Sequence, residues 1–242
     1  DAWALHDPPR QAPAAPPELI TGMMMAAFAI GRPQLAMLIC FCYCGLLRVS
    51  EALALSWEDV FLTSSGVVLC LGITKRGMEQ KVLLTNATVR AWAHLYFVRF
   101  APVSRAGKFF NLSYGAVLRW VKKLAALLGA ESLGLTTHTF RRSGASELAR
   151  SGIPLADILL FGRWATERSA REYIRRGEVA IHRARGFLTE GTFKTLDRWQ
   201  SLSSVAWQVH IIFELTKDIP FHRITVDVFH RVQSMVFEAF RV

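Results

Sequence analysis

The chain has 242 residues, of which 52% are hydrophobic, and a formal net charge of +10 at pH 7. This length is enough to bury a substantial core in one domain, and the positive charge favours a polyanionic partner. The cysteine pattern excludes a zinc site or a disulfide framework, since Cys40, Cys42 and Cys44 alternate within one apolar run and Cys70 stands apart. We therefore expect reduced, buried thiols in an intracellular protein.

The first 17 residues are predicted to be a linker, because they contain the proline-rich stretch APAAPP. Residues 18–58 are predicted to form two or three helices. The longest apolar run, residues 35–47, spans about 13 residues, whereas a bilayer helix needs about 20. We therefore predict a buried helix there and not a membrane span.

Arg48 and Glu51 follow this run in the segment GLLRVSE. At a spacing of three they share one face of a helix, so that Glu51 can orient a neighbouring group while Arg48 points at an anion. A charge directly after a run of apolar residues also needs a reason. The pair is therefore a candidate for an anion site.

Two short apolar runs, VVLCLGI and KVLL, flank the segment TKRGMEQK and predict a β-hairpin or a three-stranded sheet. This hairpin could present any of Lys75, Arg76 and Lys81. We favour Lys75, because it directly follows the first strand. With helices before and after the sheet, the predicted fold class is mainly α with a small antiparallel β-sheet (α+β).

Three helices are predicted over residues 88–100, 114–128 and 137–151, and the second is amphipathic. His138 and Arg141 are three residues apart in the third, and Thr137 is predicted to be its N-cap. The start of a helix presents free backbone N–H groups to an anion. This second pair is therefore well placed for a phosphate.

Tyr173 lies on the last strongly predicted helix, residues 169–187, and Trp164 precedes that helix. Residues 138–185 contain ten arginines and five carboxylates, so positive charge is concentrated around this tyrosine. The other tyrosines lie in an apolar run, a helical pattern and a turn-like segment: Tyr43, Tyr96 and Tyr114. Tyr173 is therefore the candidate nucleophile.

These residue types suit the metal-free cleavage of a phosphodiester. Attack on phosphorus builds charge on two non-bridging oxygens, and arginine donates two parallel hydrogen bonds to phosphate while staying charged. Arg48 and Arg141 are the candidates for this role. The phenol of Tyr173 has a reference pKa of about 10, so its attack depends on a nearby base and on those cations.

The segment from Pro16 to Arg185 resembles the catalytic domain of the tyrosine recombinases, the phage integrase family, and within it the Cre-like recombinases. The resemblance rests on GLLRVSE, HTFRR, FGRW and REYIRR, which occur in this order. It implies that residues 18–186 form the catalytic domain. It also implies that residues 1–17 link this domain to a helical core-binding domain ahead of it.

The resemblance also implies the catalytic residues, which are Arg48, Glu51, Lys75, His138, Arg141, Trp164 and Tyr173. The tyrosine attacks the scissile phosphate, the two arginines hold its oxygens, and the tryptophan adds a hydrogen bond. The lysine protonates the leaving 5′-oxygen, while the histidine, supported by the glutamate, manages the proton. We further predict DNA contacts from other cations, namely Arg76, Lys81, Arg142, Arg163, Arg171 and Arg175.

The implied activity is cleavage and rejoining of double-stranded DNA through a 3′-phosphotyrosyl intermediate, by a homotetramer, with no metal, cofactor or nucleotide. The implied location is intracellular, with DNA, in a nucleus or in bacterial cytoplasm. Residues 187–242 form a tail that either docks on a neighbouring protomer or is unrelated to the catalytic fold. The alternatives are a type IB topoisomerase, a silent DNA-binding remnant of a mobile element, and a membrane or partner-binding helical protein.

Overall fold

The computed structural model of the chain describes residues 13–73, 79–102, 105–188, 190–192, 194 and 196. Within these ranges the chain is mostly helical with one three-stranded antiparallel sheet, which confirms the predicted fold class. The helices are α1 (Pro17–Ala29), α2 (Pro33–Cys44), α3 (Val49–Ala54), α4 (Ala87–Phe100), α5 (Tyr114–Leu127), α6 (Thr139–Arg150), α7 (Leu155–Gly162) and α8 (Glu167–Phe187). The strands are β1 (Val60–Thr63), β2 (Gly66–Ile73) and β3 (Glu79–Leu84).

Helix α2 is the buried helix that the apolar run predicts. Pro33 occupies its first turn, where a missing backbone N–H costs nothing, and every residue from Leu35 to Cys42 is buried. The helix packs against α1, α3, α4 and α6. It ends at Cys44, so the last part of the apolar run forms a turn that leads into α3.

The sheet has the order β1-β2-β3, and both of its pairings are antiparallel. Leu69 of β2 lies opposite Val60 of β1 and Val82 of β3, and all three side chains are buried. The alternate residues Phe61 and Leu83 face outward. The sheet therefore covers the core with one face, as expected for an antiparallel sheet with one solvated side.

Helix α5 has the amphipathic face that its sequence predicts. Val117, Val121, Leu124 and Leu128 on that face are buried, and Trp120 is partly buried against the same core. The side chain of Ser113 caps the helix by accepting a hydrogen bond from the backbone of residue 116. The helix therefore closes one side of the core.

Helices α6 and α8 cross at close range, and this crossing positions the second half of the site. Gly177 of α8 lies against the hydroxyl of Ser146, and a Cβ at residue 177 would collide with that hydroxyl. Ser146 donates hydrogen bonds to the carbonyl oxygens of Arg142, at 3.0 Å, and of Ile174 in α8, at 3.4 Å. A small residue in α8 thus brings the helix that carries Tyr173 directly onto α6.

Both ends of the described chain return to the same core. Ala15 is buried, and its backbone N–H donates to the hydroxyl of Ser143 in α6 at 2.8 Å. Beyond α8, Leu196 packs against Gly22 and Leu128 of its own chain. Residues 1–12 and 197–242, which hold most of the predicted linker and tail, lie outside the described residues. Of the helices that the structure does describe, none has the length and apolar character to span a membrane.

Candidate active site

Glu51 lies at the centre of the predicted site. Arg48 stands just before the first residue of α3, and its backbone N–H donates to Glu51 Oε2 at 2.8 Å. The side chain of Arg48 donates to Glu51 Oε1 at 2.5 Å. The predicted pair therefore shares a face, although Arg48 caps the helix instead of lying within it.

Two further arginines reach the same carboxylate from distant parts of the chain. Arg163 Nη2 donates to Glu51 Oε2 at 2.9 Å, and Arg141 Nη1 lies 3.6 Å from that oxygen. The side chain of Arg48 is 36% exposed, whereas those of Arg141 and Arg163 are 3% and 6% exposed. One carboxylate thus organises three cations, of which Arg48 faces solvent most.

The charges of this cluster shift one another's pKa values. Burial alone raises the pKa of the Glu51 carboxyl, but the Arg48 backbone N–H and the neighbouring arginines together hold it below its ordinary value. Burial, and then the positive charges of Arg48 and Arg163, lower the pKa of Arg141 to about 10. Both groups therefore keep their charges at neutral pH.

The guanidinium of Arg141 is fixed mainly by backbone oxygens. Its Nη1 donates to the carbonyl of Leu46 at 2.6 Å, and its Nη2 donates to the carbonyl of Gly162. Its carbon also lies 4.7 Å from the ring centroid of Trp164, in a cation–π contact. The orientation of this arginine is therefore set by two turns of the chain, one after α2 at Leu46 and one at the end of α7 at Gly162.

Those turns contain strained backbone. Leu46 has φ 48° and Arg163 has φ 56°, and they are the only non-glycine residues with positive φ in the described part of the chain. A side chain in this left-handed region costs about 1 kcal/mol or more. Backbone strain of this kind clusters at functional sites, and here both instances adjoin Arg141.

His138 precedes α6, and the prediction that Thr137 caps this helix is wrong. The helix begins at Thr139, and the hydroxyl of Thr137 instead hydrogen-bonds that of Tyr114 at 2.7 Å. Burial, followed by the positive charges of Arg141, Arg48 and Arg142, lowers the pKa of His138. The imidazole is therefore neutral at pH 7 and able to accept a proton.

Gly162 lets the ring of Trp164, two residues later, reach its place in the site. A Cβ at Gly162 would collide with the ring of Trp164, so glycine lets the indole fold back over the end of α7. Trp164 then packs against Tyr173, with ring centroids 5.3 Å apart. The tryptophan ring therefore lies between Arg141 and the tyrosine.

Tyr173 is held on α8 between Trp164 and Arg142. The guanidinium of Arg142 lies 4.6 Å from the centroid of the tyrosine ring, and the phenolic oxygen is inaccessible to solvent. Burial raises the pKa of Tyr173, while the positive charges of Arg141, Arg142 and Arg48 lower it less strongly. The phenol is therefore protonated at neutral pH and needs a base to react.

The cations predicted to contact DNA have different surroundings. Lys81 on β3 and Arg175 on α8 are exposed, and so is Arg171, whose Nε donates to Glu167 at 2.6 Å. Arg142 and Arg163, in contrast, are only 6% and 8% exposed as whole residues. Arg142 lies over the ring of Tyr173, and Arg163 donates to Glu51. Lys75 and Arg76 lie outside the described residues.

The sequence predicted a DNA contact for Arg163 and did not predict that its side chain points into the protein toward Glu51. This residue follows the apolar run ILLFG, and a charge in such a position needs a partner. The same signal singled out Arg48, so it was available for Arg163 as well. The distant partner, Glu51, could not be read from local spacing.

The comparisons with known proteins indicate a family and a fold for this chain. The phage integrase family model matches residues 23–178, more than half of the chain. Two solved structures of similar fold are XerH site-specific recombinase bound to difH substrate, a pre-cleavage complex, and XerH bound to palindromic difH substrate, a post-cleavage complex. Each has 18% identity and a TM-score of 0.57.

The two similarities cover 68% and 70% of this chain and 51% of each solved chain. The chain therefore spans about half the length of those recombinases, and at this identity the likeness concerns the fold. No curated protein matches the chain.

Proposed function

Because the chain belongs to the phage integrase family, we propose that it cleaves and rejoins double-stranded DNA through a 3′-phosphotyrosyl intermediate. The observation that carries this proposal is the clustering of Arg141, Trp164 and Tyr173 in one chain. The centroid of the indole ring lies 4.7 Å from the guanidinium carbon and 5.3 Å from the centroid of the tyrosine ring. The candidate nucleophile and a fixed positive charge therefore pack against the same indole ring.

In the proposed first step, Tyr173 Oη attacks the scissile phosphorus. A bond forms between this oxygen and phosphorus as the bond to the 5′-oxygen breaks. The phenolic proton passes to His138, whose lowered pKa keeps the imidazole unprotonated at neutral pH and so able to accept it. The leaving 5′-oxygen takes a proton from Lys75, our candidate from the hairpin.

The arginines are proposed to share the charge of the phosphorane. Arg48 has the most exposed side chain of the cluster, which suits it to meet the phosphate as DNA arrives. Arg141 is held by backbone carbonyl groups, which suits it to act without reorganisation during the reaction. Trp164 adds its single N–H, a donor toward a non-bridging oxygen.

Rejoining is proposed to reverse the first step. A 5′-hydroxyl from a partner strand attacks the phosphotyrosyl phosphorus and releases the phenol, so that one phosphodiester replaces another. No nucleotide or redox cofactor is needed, because the bond energy is kept in the protein–DNA link. We assign this chemistry to a catalytic domain of residues 18–186.

We further propose that the protein acts as a homotetramer on two duplexes, in the cellular compartment that holds its DNA. This proposal extends the resemblance, since strand exchange joins two cleaved duplexes. Lys81 and Arg175 are exposed cations suited to contacts with the DNA backbone. Their replacement with alanine is expected to weaken binding and to lower its salt dependence.

The experiment that tests the proposal is detection of a covalent adduct. A pool of labelled duplexes with a randomised site and a nick near it is incubated with the protein, because a nick lets the cleaved 5′ fragment diffuse away. Denaturing electrophoresis then separates protein-bound DNA. We expect an adduct with the unaltered protein and none with Tyr173→Phe, which keeps its DNA binding.

An adduct that survives in Tyr173→Phe would remove this tyrosine from the mechanism. A protein that binds duplex DNA but traps no member of the pool would contradict the enzymatic assignment altogether. The trapped sequences then provide the substrate for single-turnover cleavage assays.

A further inference from the structure

Arg163 makes an unusual number of internal contacts for an arginine. Its guanidinium donates to Glu51 at 2.9 Å, to the carbonyl of Leu46 at 2.9 Å, to that of Gly45 at 3.3 Å and to that of Phe161 at 3.1 Å. These acceptors belong to the turn after α2, to α3 and to the end of α7. One side chain therefore joins the three segments that surround the site.

We propose that Arg163 is a positioning residue that holds Arg48 and Arg141 in their places around the scissile phosphate. This inference rests on the proposed function. Arg163 shares an acceptor with each of the two: it shares the carboxylate of Glu51 with Arg48, and the carbonyl of Leu46 with Arg141. A displacement of Arg163 would therefore change the positions of both Arg48 and Arg141.

Arg163 does not act by touching DNA itself. Its two terminal nitrogens together donate four hydrogen bonds to groups of its own chain, which uses all four of their N–H donors. Arg48, whose side chain is 36% exposed, is the member of the cluster most accessible to a phosphate from solvent. The effect of Arg163 on a phosphate is therefore exerted through its neighbours.

Ending helix α7 does not require an arginine. Residue 163 has φ 56°, a left-handed conformation that glycine adopts without strain at the end of a helix. Its positive charge also opposes that of Arg141. An arginine at residue 163 therefore costs both backbone strain and repulsion from Arg141. These costs fit a residue that holds positive charge at a fixed position better than a residue that only ends the helix.

The test compares Arg163→Ala, Arg163→Lys and Arg163→Gly in single-turnover cleavage at saturating duplex. Loss of a residue that orients the ligands of a catalytic metal typically lowers activity by about 10- to 100-fold, and we expect a loss of similar size here for alanine and glycine. We expect lysine to lie between them and the unaltered protein. Its ammonium can pair with Glu51, but it is too compact to reach the carbonyl groups at the same time.

A methylphosphonate at the scissile position separates positioning from a general structural effect. A neutral methyl group there replaces one charged non-bridging oxygen, so there is less charge for Arg48 and Arg141 to stabilise. If Arg163 acts through them, the factor by which Arg163→Ala lowers the cleavage rate should be smaller on this substrate than on the ordinary phosphodiester. A loss of the same factor on both substrates overturns the proposal.

The matched control is Arg150→Ala, which removes one positive charge from α6 far from Glu51, where Arg150 pairs with Glu147. We expect it to keep the unaltered rate. Should Arg163→Ala fail to fold, as judged by its thermal midpoint, Arg163→Gly and Arg163→Lys carry the test, since glycine relieves the backbone strain.

Failure of the positioning role and failure of the proposed function would give different results. An unaltered rate in all folded Arg163 variants overturns the positioning role while the enzyme is still active. The absence of any adduct with the unaltered protein instead contradicts the proposed function.

Discussion

Arg142 lies over the ring of Tyr173, with its guanidinium carbon 4.6 Å from the ring centroid. The arginine comes from α6 and the tyrosine from α8, and the close crossing at Gly177 brings them together. Burial raises the pKa of the phenol, and the cations of Arg141 and Arg142 oppose this shift. Arg142 therefore favours the phenolate that must form during attack.

Removing Arg142 is expected to make Tyr173 a weaker nucleophile at neutral pH. In Arg142→Ala the pKa of the phenol should rise further, because a cation that lowers it is lost. The single-turnover rate should then fall by a similar factor at pH 7 and pH 9, because the phenol is protonated at both. Arg142→Lys, which keeps a cation, should recover part of the rate. A cleavage rate that Arg142→Ala leaves unchanged at both pH values would contradict this role.

The lowered pKa of His138 predicts activity into mildly acidic solution. An ordinary histidine has a pKa of about 6.5, and burial with three neighbouring arginines moves that of His138 downward. The neutral base should therefore persist below pH 6.5, and the cleavage rate should fall only at lower pH.

His138→Gln should remove this acidic limb of the profile and lower the rate. His182→Gln, on the exposed side of α8, provides the control and should change neither. A rate that falls with a midpoint at or above pH 6.5 in the unaltered protein would be inconsistent with this assignment.

Glu51→Gln should destabilise the protein and reduce cleavage. The carboxylate balances Arg48, Arg141 and Arg163, and breaking a buried ion pair by removing one partner costs about 3–5 kcal/mol. Urea unfolding at pH 7 measures this loss. Glu147→Gln, which removes a carboxylate from an exposed pair, is the control and should barely shift the midpoint.

The stability that the Glu51 carboxylate contributes should decrease as the pH is lowered. The folded pKa of Glu51 is below its ordinary value, so its ionised form contributes stability above the unfolded pKa of about 4.3. That contribution is lost as the pH falls through the folded pKa. The stability difference between the unaltered protein and Glu51→Gln should therefore narrow in acid, and a constant difference would argue against the ion-pair explanation.

Gly177→Ala should push α8 away from α6. The new Cβ would collide with the Ser146 hydroxyl, and overpacking of this kind typically costs about 1–3 kcal/mol. Cleavage should fall as well, because Tyr173 lies one turn earlier on the same helix. Unfolding midpoints and single-turnover rates measure the two effects.

The collision can be relieved without changing the tyrosine. Adding Ser146→Ala to Gly177→Ala removes the nearest clashing atom and should restore part of both quantities. Gly186→Ala, in the same helix with no atom of the described residues within 4 Å of its Cβ position, should instead stabilise the protein through helix propensity. Equal effects of alanine at 177 and 186 would refute the close-approach argument.

Several features of the fold follow from sequence pattern. The apolar run that became α2, the amphipathic face of α5 and the hairpin strands depend on local periodicity, and periodicity decides which residues can be buried. The capping of α6 was predicted wrongly at Thr137, because the competing hydrogen bond to Tyr114 comes from α5. The bounds of helices α4, α5 and α8 differ from the predicted ones by one or two residues.

The sequence by itself determined the chemical inventory of this protein: a tyrosine among arginines, a histidine three residues before an arginine, and a glutamate three residues after another. Such spacings fix which side chains share a helix face. The tertiary structure alone decided that Arg142 and Arg163 turn inward, the first onto Tyr173 and the second onto Glu51, 112 residues away in sequence. The physical reason is that the meeting of distant segments depends on how helices pack and on two left-handed turns, neither of which local spacing encodes.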